Sequence, residues 1–92
     1  MATIPSILSI AGSDPSSGAG VQADLKTISS IGGYGLTAIT ALTIQNTQGV
    51  ERFVSISKRD LFDQIRIVHE DFSVKGVKIG MLPTLDSVEA VV

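Results

Sequence analysis

Three short stretches hold the residues whose types and spacing could do chemistry: Gly12-Ser13-Asp14-Pro15-Ser16-Ser17-Gly18-Ala19-Gly20, Gln45-Asn46-Thr47 and Gly80-Met81. In the first, small residues let backbone N–H groups approach a ligand without side chains in the way. A helix follows it, and a helix start adds unpaired N–H donors and a positive dipole end. A Cβ at Gly20, where that helix begins, would intrude on a ligand held there. The same composition also suits a flexible loop with Ser17 as N-cap. Gln45 offers a paired donor and acceptor, the complement of a planar heterocycle with adjacent ring nitrogen and amino group. A plain polar turn is the equal alternative, since Asn and Thr both favour turns. Met81 is either core filler or a soft wall for a flat ligand. Asp24 would serve a ligand if it points back into the glycine loop, and needs no function if it faces solvent near a helix N-terminus.

These residues need elements to position them. Consecutive apolar positions over Ile4–Ala11 predict a strand covered on both faces. Ala19–Ile31 reads as a helix with Val21, Leu25, Ile28 and Ile31 on or near one face, ended by Gly32-Gly33. The connection between them exceeds the usual span of about 2–6 residues. Leu36–Gln45 predicts a second strand, apolar on both faces, and Val50–Ile56 a short extra or edge strand. Ser57-Lys58-Arg59-Asp60 resembles a capping box opening a helix with Leu61, Ile65, Val68 and Phe72 on its face. Val74–Ile79 is a third core strand, in which Lys78 reads as a structural or edge feature. Thr84 caps a last helix with Leu85, Val88, Val91 and Val92 as its apolar face. Strands separated by helices make a parallel sheet with right-handed crossovers, so all three candidate stretches reach one carboxyl edge.

Composition narrows the class. Ninety-two residues allow one domain, and a net charge of −2 with scattered basic residues gives no electrostatic case for nucleic acid or an anionic membrane. No cysteine is present, which removes disulfides and thiolate metal sites. Neither a basic leader with a long apolar segment nor a bilayer-length apolar run is found, so a cytoplasmic protein is expected. His69, the single histidine, sits beside an apolar face without ligating partners and reads as a surface or boundary residue. Asp63, Glu70 and Asp71 read as a solvated face.

Three blocks together resemble hydroxymethylpyrimidine kinase / phosphomethylpyrimidine kinase, of the ribokinase-like superfamily and thiamine biosynthesis. They are Ile10-Ala11-Gly12-Ser13-Asp14 with Gly18 to Thr27, then Ile39-Thr40-Ala41-Leu42 with Gln45-Asn46-Thr47 and Gly49-Val50, then Val77-Lys78-Ile79-Gly80-Met81-Leu82. Ser17 departs from the family, where glycine is common. The resemblance implies an α/β chain, the amino-terminal portion of a ribokinase-like three-layer fold with a mainly parallel sheet. Residues 1–92 would be the amino-terminal part of one kinase domain, truncated within a helix. It implies phosphoryl transfer from ATP with Mg2+ to 4-amino-5-hydroxymethyl-2-methylpyrimidine and then to its monophosphate. By similarity Gln45 reads the pyrimidine, Gly12, Ala19, Asp24 and Met81 line the pocket, and Asp24 lies near the hydroxymethyl end. The ATP groove, anion hole and catalytic base are expected outside this chain, which alone would be inactive. A cytoplasmic homodimer is implied for the whole protein.

Other readings compete. Pyridoxal-type substrates belong to the same superfamily, and a non-catalytic interaction module would suit an exposed sheet edge. Gly18-Ala19-Gly20-Val21-Gln22-Ala23 matches G-x-G-x-x-A, but a six-residue loop precedes it and no acid ends the second strand. The Walker A pattern fails for want of Gly-Lys-Ser/Thr.

Overall fold

The computed structural model describes residues 4–92; Met1 to Thr3, at the head of the expected domain, lie outside the described residues. The elements run β1 (Ser6–Ser13), α1 (Gly20–Ser30), β2 (Tyr34–Asn46), β3 (Gly49–Ser55), α2 (Lys58–Asp71), β4 (Val74–Ile79) and α3 (Leu85–Val91). One four-stranded sheet has the order β3-β2-β1-β4. β1 pairs parallel with both β2 and β4, while β3 folds back antiparallel on β2 as an edge strand.

The chain leaves β1 through α1 toward one side of the sheet, then returns through α2 to the other. Right-handed crossovers in opposite directions put their helices on opposite faces. Side-chain parity agrees. Leu8, Ile10, Leu36 and Ala38 meet Leu61 of α2 and Ala90 of α3 in the core. Ser9, between Leu8 and Ile10, instead reaches Asp24 of α1. The carboxyl end of β1 is thus where the connections diverge, the point at which open α/β sheets leave a ligand crevice.

Local chemistry fixes the element ends. Gly33 N–H donates to Ile28 O at 2.8 Å and Gly32 N–H to Ser29 O at 3.2 Å, closing α1 in a Schellman turn. Gly32 supplies the left-handed residue, φ +89°. This turn leaves Ile31 exposed rather than on the buried face expected for it. Tyr34 N–H then bonds Pro5 O at 2.8 Å, so β2 begins before Leu36. Ser57 caps α2 by accepting from Asp60 N–H, and Thr84 caps α3 by accepting from Ser87 N–H, as expected. Where β3 stops pairing, Gln64 of α2 takes over the β2 edge. Its Nε2 donates to Ile39 O at 3.0 Å, and its Oε1 accepts from Ile39 N–H at 2.8 Å. Among the acids expected on a solvated face, Asp63 and Glu70 both pair with Arg66.

Two faces differ from expectation. Leu42 and Ile44 are exposed, because the β2–β3 hairpin is not covered by a helix there. In α3 the buried residues are Ser87 and Ala90, whereas Leu85 is 71% exposed. The Thr84 cap turns Ser87 inward, its Oγ 3.1 Å from Thr84 Oγ1, and small side chains at 87 and 90 suit close packing of α3 on α2. Lys58 and Glu89 join those two helices at 2.7 Å.

Candidate functional site

The carboxyl ends of the three parallel strands and the start of α1 enclose a cleft of about 180 Å³. Gly12, Ala19, Gln45 and Met81 line it, brought together as their positions in the sequence suggest. Asp24 stands behind them and reaches the cleft through Lys78, which lines it.

The glycine-rich loop is organised from inside. The carboxylate of Asp14 is buried. Its Oδ1 accepts from Ser16 N–H at 2.9 Å and Ser16 Oγ at 2.7 Å; its Oδ2 accepts from Gly18 N–H at 3.0 Å and Ala19 N–H at 2.9 Å. The bonds from Ser16, first its hydroxyl and then its amide, together with those from Ala19 and Gly18, hold the carboxyl below its ordinary 3.8 against the cost of burial. The Gly18 and Ala19 amides that the sequence offered to a ligand therefore bind the loop's own acid. Ser17 is not the N-cap: that position is Ala19, without a side-chain bond. Ser17 instead has a left-handed backbone, φ +65°. Gly20 also departs from expectation. Its φ is +63°, and a Cβ there would collide with the Gly12 carbonyl oxygen, so close helix-to-strand packing requires glycine.

Gln45 is held by a directed relay. Thr43 Oγ1 donates its single proton to Ser13 O at 2.5 Å and so can only accept from Gln45 Nε2, at 2.6 Å. The amide is thereby fixed, with Oε1 and the second Nε2 proton left for the cleft. Met81 forms the facing wall: a Cβ on Gly12 would lie 3.3 Å from its Sδ. The Met81 carbonyl accepts from Thr40 Oγ1 at 2.6 Å, which pins the wall to β2.

Asp24 faces across β1, not back into the loop. It accepts from Ser9 Oγ at 2.6 Å and from Lys78 Nζ at 3.0 Å. Burial opposes its ionisation; the Ser9 bond and the bond and charge of Lys78 outweigh it, leaving the carboxyl below 3.8. Lys78 and Thr43 are the site residues that sequence reading missed. The signal was positional: Lys78 pairs in register with Ser9 near the carboxyl end of β4, and Thr43 precedes Gln45 by two on the same strand face.

Residues 14–92 match the phosphomethylpyrimidine kinase family model. The hydroxymethylpyrimidine/phosphomethylpyrimidine kinase of Escherichia coli is 51% identical over 84 residues, 91% of this chain and 32% of that protein. The thiamine biosynthesis multifunctional protein of Corynebacterium glutamicum is 46% identical over 87 residues, 95% of this chain and 11% of that protein. Among solved structures, phosphomethylpyrimidine kinase from Clostridium difficile aligns with TM-score 0.88 at 45% identity, covering 97% of this chain and 38% of that one. Pyridoxal kinase from Bacillus subtilis, solved as an ADP complex, aligns with TM-score 0.87 at 36% identity, over 97% and 35%. The chain thus spans well under half the length of each of these relatives. The ribokinase-like α/β class expected from the resemblance is the one found.

Proposed function

The chain belongs to the phosphomethylpyrimidine kinase family, and from that premise we propose that its cleft binds the acceptor pyrimidine of an ATP-dependent kinase of thiamine biosynthesis. The acceptors are 4-amino-5-hydroxymethyl-2-methylpyrimidine and its monophosphate. The observation that carries this reading is the fixed amide of Gln45, whose free Oε1 and N–H complement an amino group beside a ring nitrogen. Gly12, Ala19 and Met81 supply apolar walls for a flat ring, and Asp24 with Lys78 would lie at the hydroxymethyl end. A cytoplasmic homodimer is the setting proposed for the whole protein.

The described residues do not fit the triphosphate of ATP or its Mg2+. The loop amides that could cradle phosphate are engaged by Asp14. Binding, orientation of the ring and shielding of one of its faces are what these residues contribute. Similarity to Bacillus subtilis pyridoxal kinase favours a second reading, a pyridoxal-type acceptor.

Calorimetric titration of the chain with the aminopyrimidine tests the proposal. Gln45→Ala is expected to lose roughly 1–3 kcal/mol of binding, the cost of leaving ligand polar groups unpaired. Equal affinity in parent and variant would remove Gln45 from the site. Pyridoxal binding more tightly than the aminopyrimidine would favour the second reading.

A further inference from the structure

We infer that Lys78 is the specificity-determining cation of this cleft, making it prefer a phosphorylated pyrimidine to the free alcohol; the inference rests on the acceptor reading above. A phosphomonoester carries about −1.5 to −2 charges at neutral pH. Apart from Lys78, the residues that line the cleft are apolar, neutral polar or, in Asp14, acidic. Asp14 is turned into its own loop and held there by four donors. Lys78 is therefore the group among those lining residues that can answer an anion.

Its ammonium is positioned as well as present. Ser9, fully buried, donates to Asp24, and Asp24 in turn accepts from Lys78. That tether holds a flexible four-carbon stem and engages one of three ammonium donors, leaving two for a ligand. Gly80 lies beside the ammonium, although a Cβ there would first meet Ala11 Cβ at 2.8 Å and only then Lys78 Nζ at 3.2 Å, so close packing on β1 is what asks for glycine. An ordinary surface ion pair has no need of a buried hydroxyl beneath it. Because Asp24 is only 17% exposed while Lys78 is 51% exposed, the anchored end is the acid and the accessible end is the cation.

The test compares two ligands in one chain: the hydroxymethyl pyrimidine and its monophosphate, titrated by calorimetry into the parent, K78M, K78R and K75M. The parent is expected to bind the monophosphate more tightly, with a preference that shrinks as salt is raised. K78M should lower the ratio of monophosphate to alcohol affinity by roughly ten- to a hundredfold, the range for a hydrogen bond to a charged group. K78R should largely restore the ratio. K75M, which removes an exposed charge of the same strand, should leave it unaltered. If K78M does not fold, K78Q reads the same ratio. Equal weakening of both ligands would make Lys78 a mere strut for Asp24 and overturn the inference while the acceptor reading stands. Failure of either ligand to bind the parent would overturn the acceptor reading, and this inference with it.

Discussion

Ser17 and Gly20 occupy the same left-handed backbone region, yet only Gly20 is forced to be glycine by its neighbours. The left-handed conformation costs an ordinary residue about 1–2 kcal/mol, and glycine gives back about 0.5–1 kcal/mol through its looser unfolded chain. Ser17→Gly should therefore stabilise the chain by roughly 0.5–1 kcal/mol in urea unfolding. Its backbone bonds, from its N–H to Asp14 O and from Lys26 Nζ to its carbonyl, survive the change. At Gly20 the same arithmetic is overruled by the Gly12 carbonyl. Gly20→Ala should destabilise by more than about 2 kcal/mol, strain and collision adding; an unchanged urea midpoint would mean the loop can retreat from β1. Residue types and strand ends made Gln45, Met81 and the glycine-rich loop legible as one group, and within that loop the family resemblance singled out Gly12 and Ala19. The purposes of Asp14 and Lys78 were not legible, because each depends on partners that only the closed loop or the sheet register brings near.

At the scale of elements, hydrophobic period and capping chemistry revealed all seven, and β4 to the residue. What they could not reveal was which side of a short helix is buried. In α3 the large apolar residues suggested one face and the small ones took it, since close approach to α2 and the Thr84 cap decided the rotation. The glycine loop is likewise an element built by a side chain, and its stability should titrate. The Asp14 carboxyl is lowered from 3.8 in the folded chain, so its contribution is complete well above 3.8 and is lost as pH falls through the lower folded value. Asp24, also lowered, shares that window. Thermal melts from neutral pH downward should show a fall in Tm that sets in as pH approaches the ordinary aspartate value and continues below it. Asp14→Asn should flatten part of that fall, and amide exchange at Gly18 and Ala19 should quicken in the same variant. A melt profile identical to the parent's would remove Asp14 as the loop's organiser.

Taken as a whole, the molecule concentrates its polar devices on one end of the sheet. Three strand ends, a helix start and an internally braced loop converge there, while apolar side chains of β4, Val77 and Ile79, are half-exposed along one edge. Phosphoryl transfer needs more than this end of the sheet. It depends on holding donor and acceptor in line and on stabilising charge at the moving phosphoryl group. Here Lys78 is the cation facing the cleft, and the loop amides are turned to Asp14. Without positioning of the donor, the reaction forgoes the effective-molarity advantage, worth roughly 7–11 kcal/mol of barrier. Residues 1–92 by themselves should therefore bind the aminopyrimidine without phosphorylating it. Incubation of the purified chain with radiolabelled ATP, Mg2+ and the hydroxymethyl pyrimidine should yield no phosphorylated product above a protein-free control, while calorimetry on the same preparation still detects pyrimidine binding. Product above that control would mean that these residues also hold the donor. The inward-facing loop amides would then have to turn outward during the reaction, and Asp14→Asn, which releases them, should raise the rate rather than lower it.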